Sequence, residues 1–238
     1  MSTLESFTWL ITGSSRGIGL ELTRQLLTSP VNTVIATCRD PTGASALTAL
    51  QDGAQGTLHI IALDVADEVS IRTAVKEAAV ILGERGLDYL YNNAAINETD
   101  DTAFSFDPAR LARAVHINVV GPALLAQACL PLLEKSTRKV VVNMTSGLAS
   151  IGLDCGPKCT TYSISKAALN MLTYKQAKER SDFIVVCLDP GWVKTDMGGD
   201  GAMLEREFSV SHILKVVTAL VSQDTGKFFR YNGEQLPW

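Results

Sequence analysis

The sequence predicts an α/β fold, a parallel sheet doubly wound with helices on both faces. Two observations predict it. Short apolar runs of strand length alternate with longer segments of helical periodicity, the order that builds a parallel sheet through right-handed crossovers. The first apolar run also passes directly into a glycine-rich turn and then a helix, which is how many such sheets begin. No linker, repeat or low-complexity stretch interrupts the 238 residues, a length suited to one domain spanning 1–238.

Residues 7–12 read as a buried strand, followed at once by TGSSRGIG and a helix over 18–29 that Pro30 stops. Gly13 permits the tight turn. Gly17 and Gly19 permit close approach of backbone to a pyrophosphate and of helix to sheet, while the helix N-terminus offers N–H groups to phosphate. Strand, turn and helix in this order form a dinucleotide fingerprint, so the fold expected is Rossmann-type. The second strand, NTVIATCRD, ends in Cys38 and Arg39 where a cofactor lacking a 2′-phosphate usually meets a carboxylate. Arg39 and Arg16 together suit a 2′-phosphate, which favours NADP(H); Asp40 is a rival partner for the arginine.

The alternation continues with a helix at 44–52, a strand at 57–65, a helix at 70–86 and a strand at 87–95. A long helix over 108–135, a strand at 138–146, the helix holding Tyr162 and a strand at 182–191 follow. A last helix at 210–223 and strand at 226–233 bring the sheet to about seven strands. The long irregular piece is 194–209, whose glycines at 198, 199 and 201 suit a substrate loop that closes on binding.

The chemistry concentrates between Ser146 and Lys166. Ser146 closes the apolar run KVVVNMTS, which puts a hydroxyl at the carboxyl end of a strand, where open α/β sheets bind ligands. Tyr162 and Lys166 stand at i, i+4 on a helix, one turn apart on one face. A phenol has a reference pKa of roughly 10, and an ammonium beside it is expected to bring that value toward neutrality. Read alone, such a pair is equally a buried ring beside a snorkelling lysine.

Composition excludes several function classes. A net charge of −4 without a basic run argues against nucleic acid. Five cysteines at irregular spacing make no disulfide framework, and free thiols in a reducing, cytoplasmic compartment are expected. The first strand begins close to Met1, leaving no room for a targeting peptide. Residues 114–133 lack formal charge over the length of a membrane helix, yet His116, Asn118, Gly121, Gln127 and two prolines favour a helix buried against a sheet. His59, His116 and His212 show no metal spacing, so no metal is expected.

With TGSSRGIG, NNAA, the strand-end serine, YSISK and PGWVKT in this order, the chain resembles the short-chain dehydrogenase/reductase family, in its shorter single-domain branch. ATCRDP and the ending GKFFRYNGEQLPW look like the C-factor and sniffer-type carbonyl reductases within it. The resemblance implies that Tyr162 is the general acid in reduction, that Lys166 lowers its pKa and holds the nicotinamide ribose, and that Ser146 orients the substrate carbonyl. It implies that Asn118 helps hold a water in a proton relay. Cofactor contacts are implied for Gly13, Ser15, Arg16, Gly17, Ile18 and Gly19 in the turn, and for Cys38, Arg39, Asp64 and Val65 beside the adenosine. Asn93, Ala94 and Ala95 are implied as well, although the family more often reads NNAG. Pro190, Gly191, Val193 and Thr195 are implied to close over the nicotinamide, Val193 and Thr195 near its carboxamide, and Tyr162 and Lys166 are implied as cofactor contacts too.

The function expected from this resemblance is NADP(H)-dependent reduction of a ketone or aldehyde, reversible as alcohol oxidation. The rivals are a dehydratase or isomerising enzyme on the same fold, and a non-catalytic NADP(H)-sensing protein. Ile96, Ser150, Leu153, Trp192, Met197, Met203 and Leu204 are candidates for an apolar substrate pocket. A homodimer or homotetramer through the helices of Asn118 and Tyr162 is expected, since the family usually pairs subunits there.

Overall fold

Alternate residues of each strand point to opposite faces of the sheet, and the buried residues divide accordingly. The computed structural model describes residues 6–98 and 100–238. Seven parallel strands form one sheet in the order β3-β2-β1-β4-β5-β6-β7. They are β1 (Thr8–Thr12), β2 (Thr33–Cys38), β3 (Thr57–Ala62), β4 (Tyr89–Asn92), β5 (Val140–Met144), β6 (Ile184–Asp189) and β7 (Phe228–Arg230). On one face Trp9, Ile11, Val34, Tyr89 and Val142 meet Leu22 and Leu26 of α1 (Gly17–Leu26) and Val210, Ile213 and Val217 of the last helix. On the other, Leu10, Ile35, Leu90 and Val141 meet Ile71, Ala74 and Ala78 of α3 (Glu68–Leu82) and Leu125 and Cys129 of α5 (Gly121–Lys135).

Two helix starts follow their caps. Asp67 accepts from the Val69 N–H at 2.9 Å to open α3, two residues before the sequence places it. Asp107 accepts from Ala109 N–H at 2.8 Å to open α4 (Pro108–Val115), with Pro108 in the first turn, where a missing N–H costs nothing. The short helix after β2 is α2 (Ser45–Thr48), continued by a 3₁₀ turn over Ala49–Gly53.

The expected long helix is present from Pro108 to Lys135, with a π-helical turn at His116–Val120 between α4 and α5. By length and composition it could cross a membrane. Here it lies against the sheet and α3, with Leu125, Cys129, Leu132 and Leu133 buried. α6 (Thr160–Glu179) holds the tyrosine and lysine, and α7 is Arg206–Ala219. Its start converts the last four positions of the expected 194–209 loop into helix.

Strand order reverses at β1, whose neighbours β2 and β4 lead the chain to opposite sides. A crevice opens there at the carboxyl ends of the strands, the place where open α/β sheets take ligands.

Candidate active site and cofactor cleft

The cleft begins at the glycine-rich turn. Gly13 and Gly17 have φ of 70° and 56°, left-handed conformations that a side chain would strain. A Cβ on Gly19 would fall on the Gly13 carbonyl oxygen, so this glycine lets α1 close onto the turn. No side chain caps α1, which leaves its first N–H groups to face the cleft. This bare helix end behind a turn that admits no side chain at positions 13, 17 and 19 fits a dinucleotide pyrophosphate. Ser15, Arg16, Gly17 and Ile18 line the cleft with Gly13; Gly19 stands behind it.

Thr12, which sequence reasoning passed over, holds the floor together. Its Oγ1 accepts from the N–H groups of Asn93 and Ala94 at 3.0 and 2.9 Å. In return Asn93 Nδ2 donates to Thr12 O at 2.8 Å, so the ends of β1 and β4 form one platform. A threonine directly before the glycine turn was the signal for it.

Cys38, Arg39, Asp64, Val65, Asn93, Ala94 and Ala95 all line the same cleft. Asp40 is the neighbour that could have neutralised Arg39. Its Oδ1 instead accepts from Thr42 N, Thr42 Oγ1 and Gly43 N at 3.0, 2.6 and 3.2 Å. Arg39 is exposed and makes no ion pair among the described residues, while Arg16 pairs with Asp196 at 3.0 Å. Asp64 Oδ1 accepts from Ala66 N–H, and Asp67 is the residue that caps α3. Leu63, Arg113 and Ile117 add to the lining, brought in by the third strand and the long helix without any sequence motif to mark them.

At the other end of the cleft Tyr162 and Lys166 reach the lining, and Ser146 stands behind it, hydrogen-bonded to the tyrosine. Ser146 lies just past β5 and opens a 3₁₀ turn, where its Oγ accepts from Leu148 N–H at 3.2 Å and shares a hydrogen bond with the Tyr162 hydroxyl. Lys166 is 2% exposed, donates to Met144 O at 2.8 Å, and places Nζ 5.7 Å from the Tyr162 ring centre. Tyr162 and Lys166 line the cleft together with Met144 and Thr145.

Burial works against the expected lowering of the Tyr162 pKa by Lys166. Burial pushes the phenol above its usual range; the charges of Asp189 and Cys159 add to this, and the Ser146 hydrogen bond opposes it. Burial likewise pushes Lys166 down to about 7. Both charged forms lose solvation in the same low-dielectric place.

Asn118, in the π-helical turn, is fully buried and does not reach the cleft surface. Its Oδ1 accepts from Ile96 N–H, and its Nδ2 donates to Ile96 O and Ser165 Oγ, at 2.9, 2.9 and 3.0 Å. The amide thus fixes the segment after β4 to the helix of Tyr162. After β6, Pro190 and Thr195 line the cleft, whereas Gly191 and Val193 stand behind it, the latter 4% exposed. Of the pocket candidates Ile96 and Met197 reach the lining. Trp192 turns onto its own loop, donating Nε1–H to Gly198 O at 2.8 Å, and Ser150 donates to Pro237 O at 2.7 Å. His116 bonds Ala66 O, and no cluster of metal-ligating side chains occurs among the described residues.

A nucleotide cleft that ends in a serine, tyrosine and lysine places the chain in a known class. A family model for short chain dehydrogenase matches residues 8–202, and the chain belongs to that family. It is 31% identical to the short chain dehydrogenase gsfK of Penicillium aethiopicum, covering 97% of this chain and 99% of that one. It is 36% identical to the C-signal protein of Myxococcus xanthus, over 64% of this chain and 93% of that one. Among solved structures, the carbonyl reductase Sniffer of D. melanogaster superposes with a TM-score of 0.94 at 32% identity, covering 98% of this chain and 100% of that one. The NADPH-bound carbonyl reductase from chicken fatty liver gives 0.92 at 35%, covering 99% and 100%.

Proposed function

We propose that the protein is an NADP(H)-dependent carbonyl reductase acting on a ketone or aldehyde, reversible as an alcohol dehydrogenase. The observation that carries this reading is the placement of Tyr162 and Lys166 on one wall of a cleft whose far end holds the glycine turn, Arg16 and Arg39. NADPH-bound carbonyl reductase is also what the chicken relative is described as.

In this reading the α1 N-terminus and the backbone of residues 13–18 hold the pyrophosphate, and Arg16 and Arg39 hold the 2′-phosphate. Asp64 and Val65 flank the adenine, Asn93 to Ala95 the adenosine side, and Pro190 and Thr195 the nicotinamide. Bound nicotinamide supplies hydride to the carbonyl carbon. Ser146 orients the carbonyl oxygen, and Tyr162 delivers a proton to it. A phenol that burial has made a weaker acid still protonates an alkoxide, which is the stronger base; Tyr162 therefore arrives at the step with its proton on. Lys166 holds the nicotinamide ribose. Asn118 keeps the loop after β4 against α6.

The segment 194–209 would serve as substrate loop. Exposed Val120, Ile164 and Met171 on the long helix and α6 support pairing of two or four copies there, to be checked by light scattering. The free thiols support a cytoplasmic setting.

NADPH oxidation across a panel of small and bulky carbonyls, run beside NADH, tests the activity. Tyr162→Phe should abolish turnover while leaving NADPH binding largely intact; full activity in that variant would refute the assignment.

A further inference from the structure

Three successive turns of α6 reach three successive residues at and just past the end of β5. Tyr162, Lys166 and Asn170 stand at i, i+4 and i+8, on one face of the helix. The Tyr162 hydroxyl shares its hydrogen bond with Ser146, and Lys166 Nζ donates to Met144 O at 2.8 Å. Between these two residues, the Thr145 hydroxyl donates to Asn170 Oδ1 at 2.7 Å. One turn further along, Thr173 Oγ1 accepts from Asn143 Nδ2 at 2.9 Å and completes the row. Thr145 N–H donates to Leu188 O at 2.8 Å, which ties the same residue to β6.

Asn170 is the member of this row that neither the reaction nor folding accounts for. It is 4% exposed and does not line the cleft, whereas Thr145 does. Its Nδ2 has no hydrogen-bond partner among the described residues. A buried N–H left unpaired is costlier than an apolar side chain of similar shape. The threonine has another acceptor within reach as well, since its Oγ1 lies 3.4 Å from Lys166 O. For stability alone a leucine would serve at position 170, so the amide calls for a different reason. Its effect is to hold Thr145, and Thr145 directly precedes the serine. Without that hold the Thr145 side chain turns toward Lys166 O, and Ser146 moves with it.

We propose that Asn170 is a positioning residue for the reaction: by holding the Thr145 hydroxyl it sets where Ser146 stands relative to Tyr162 and the carbonyl to be reduced. The part concerning the carbonyl rests on the reductase reading above; the hold on the Ser146 turn does not. A misplacement of about 1 Å at reacting groups costs on the order of a hundredfold in rate, so a bond in this position governs turnover without touching substrate.

Asn170→Leu removes the acceptor and the unpaired N–H together, and its thermal midpoint should equal or exceed that of the unaltered protein. Hydrogen exchange read by mass spectrometry on the free protein needs no substrate. There the amides of residues 145–150 should exchange about tenfold faster, with those of β1 and β2 unchanged. With sites counted by NADPH fluorescence, kcat for the fastest carbonyl of the panel should fall about ten- to a hundredfold, while the KM for NADPH stays within about twofold. A midpoint that falls along with kcat overturns the proposal, because it makes the amide an ordinary structural group. An unmoved exchange pattern or an unmoved kcat overturns it too. Should the leucine variant fail to fold, Asn170→Ala removes the same acceptor without added bulk and is read by exchange and kcat in the same way. An unaltered protein that reduces no carbonyl removes the reading of function, and the exchange result then decides by itself whether Asn170 holds the turn.

Discussion

Arg16 and Asp196 form an ion pair at 3.0 Å that joins the glycine-rich turn to the loop after β6 across the mouth of the cleft. Both side chains are open to water, 75% and 78% exposed, so the pair adds little to folding. Its interest lies in competition, since it engages the guanidinium proposed to hold a phosphate.

Asp196→Asn should therefore leave the thermal midpoint unchanged and tighten NADPH binding roughly two- to fivefold, the range of an exposed ion pair. Fluorescence titration at low and high salt checks this, and the gain should shrink as salt screens both partners. Weaker binding in the variant would show that the pair assists the cofactor.

Arg39 makes no competing ion pair among the described residues, because Asp40 is turned into its own loop by Thr42 and Gly43. Arg39→Ala should raise the KM for NADPH about ten- to a hundredfold, the loss expected for charge-assisted hydrogen bonds, with little change for NADH. Equal losses for the two cofactors would place the guanidinium away from the 2′-phosphate.

Lys166, pushed down to about 7 by burial, is largely neutral in the free protein above that pH. An anionic dinucleotide arriving nearby favours the ammonium, so NADPH binding above neutrality should take up a fraction of a proton approaching one. Calorimetry in buffers of different ionisation enthalpy reads this directly; no proton exchange would contradict it.

The same group bears on stability. Its value in the folded protein lies below the roughly 10.4 of an unfolded lysine. Between these values the unfolded chain binds more protons, so stability rises with pH from about 7 upward. Lys166→Met should flatten this rise in thermal midpoint and be relatively more stable at and below neutral pH.

Gly19→Ala puts a methyl group onto the Gly13 carbonyl, a backbone atom that cannot step aside. About 1–3 kcal/mol of destabilisation is expected, with weakened NADPH binding because α1 must retreat from the turn. Chemical denaturation with and without cofactor measures both effects.

The strands were legible because buried parallel strands announce themselves as apolar runs, and Ser146, Tyr162 and Lys166 because a hydroxyl at a strand end and an i, i+4 pair keep their geometry in any such fold. The direction of the pKa shifts was not legible. It depends on how far Lys166 and Tyr162 are buried, which is a property of the folded chain as a whole. The π-helical turn at Asn118 escaped for a related reason: it goes with a bond from that amide to Ile96, twenty-two positions away. Asp196 and Asp189 carried no motif, and only folding brings them to Arg16 and Arg230.

The placement of the tryptophans gives the molecule its own optical gauge. Trp9 is stacked on Tyr89 with ring centres 3.7 Å apart in the core, insulated from events at the surface. Trp192 is 56% exposed, and its indole N–H bonds Gly198 of its own loop. Emission from the first follows unfolding, and emission from the second follows whatever the loop does when a ligand arrives; with the third, Trp238, which packs on Phe228 and Tyr174, replaced by phenylalanine, a single spectrum separates the two without any added dye.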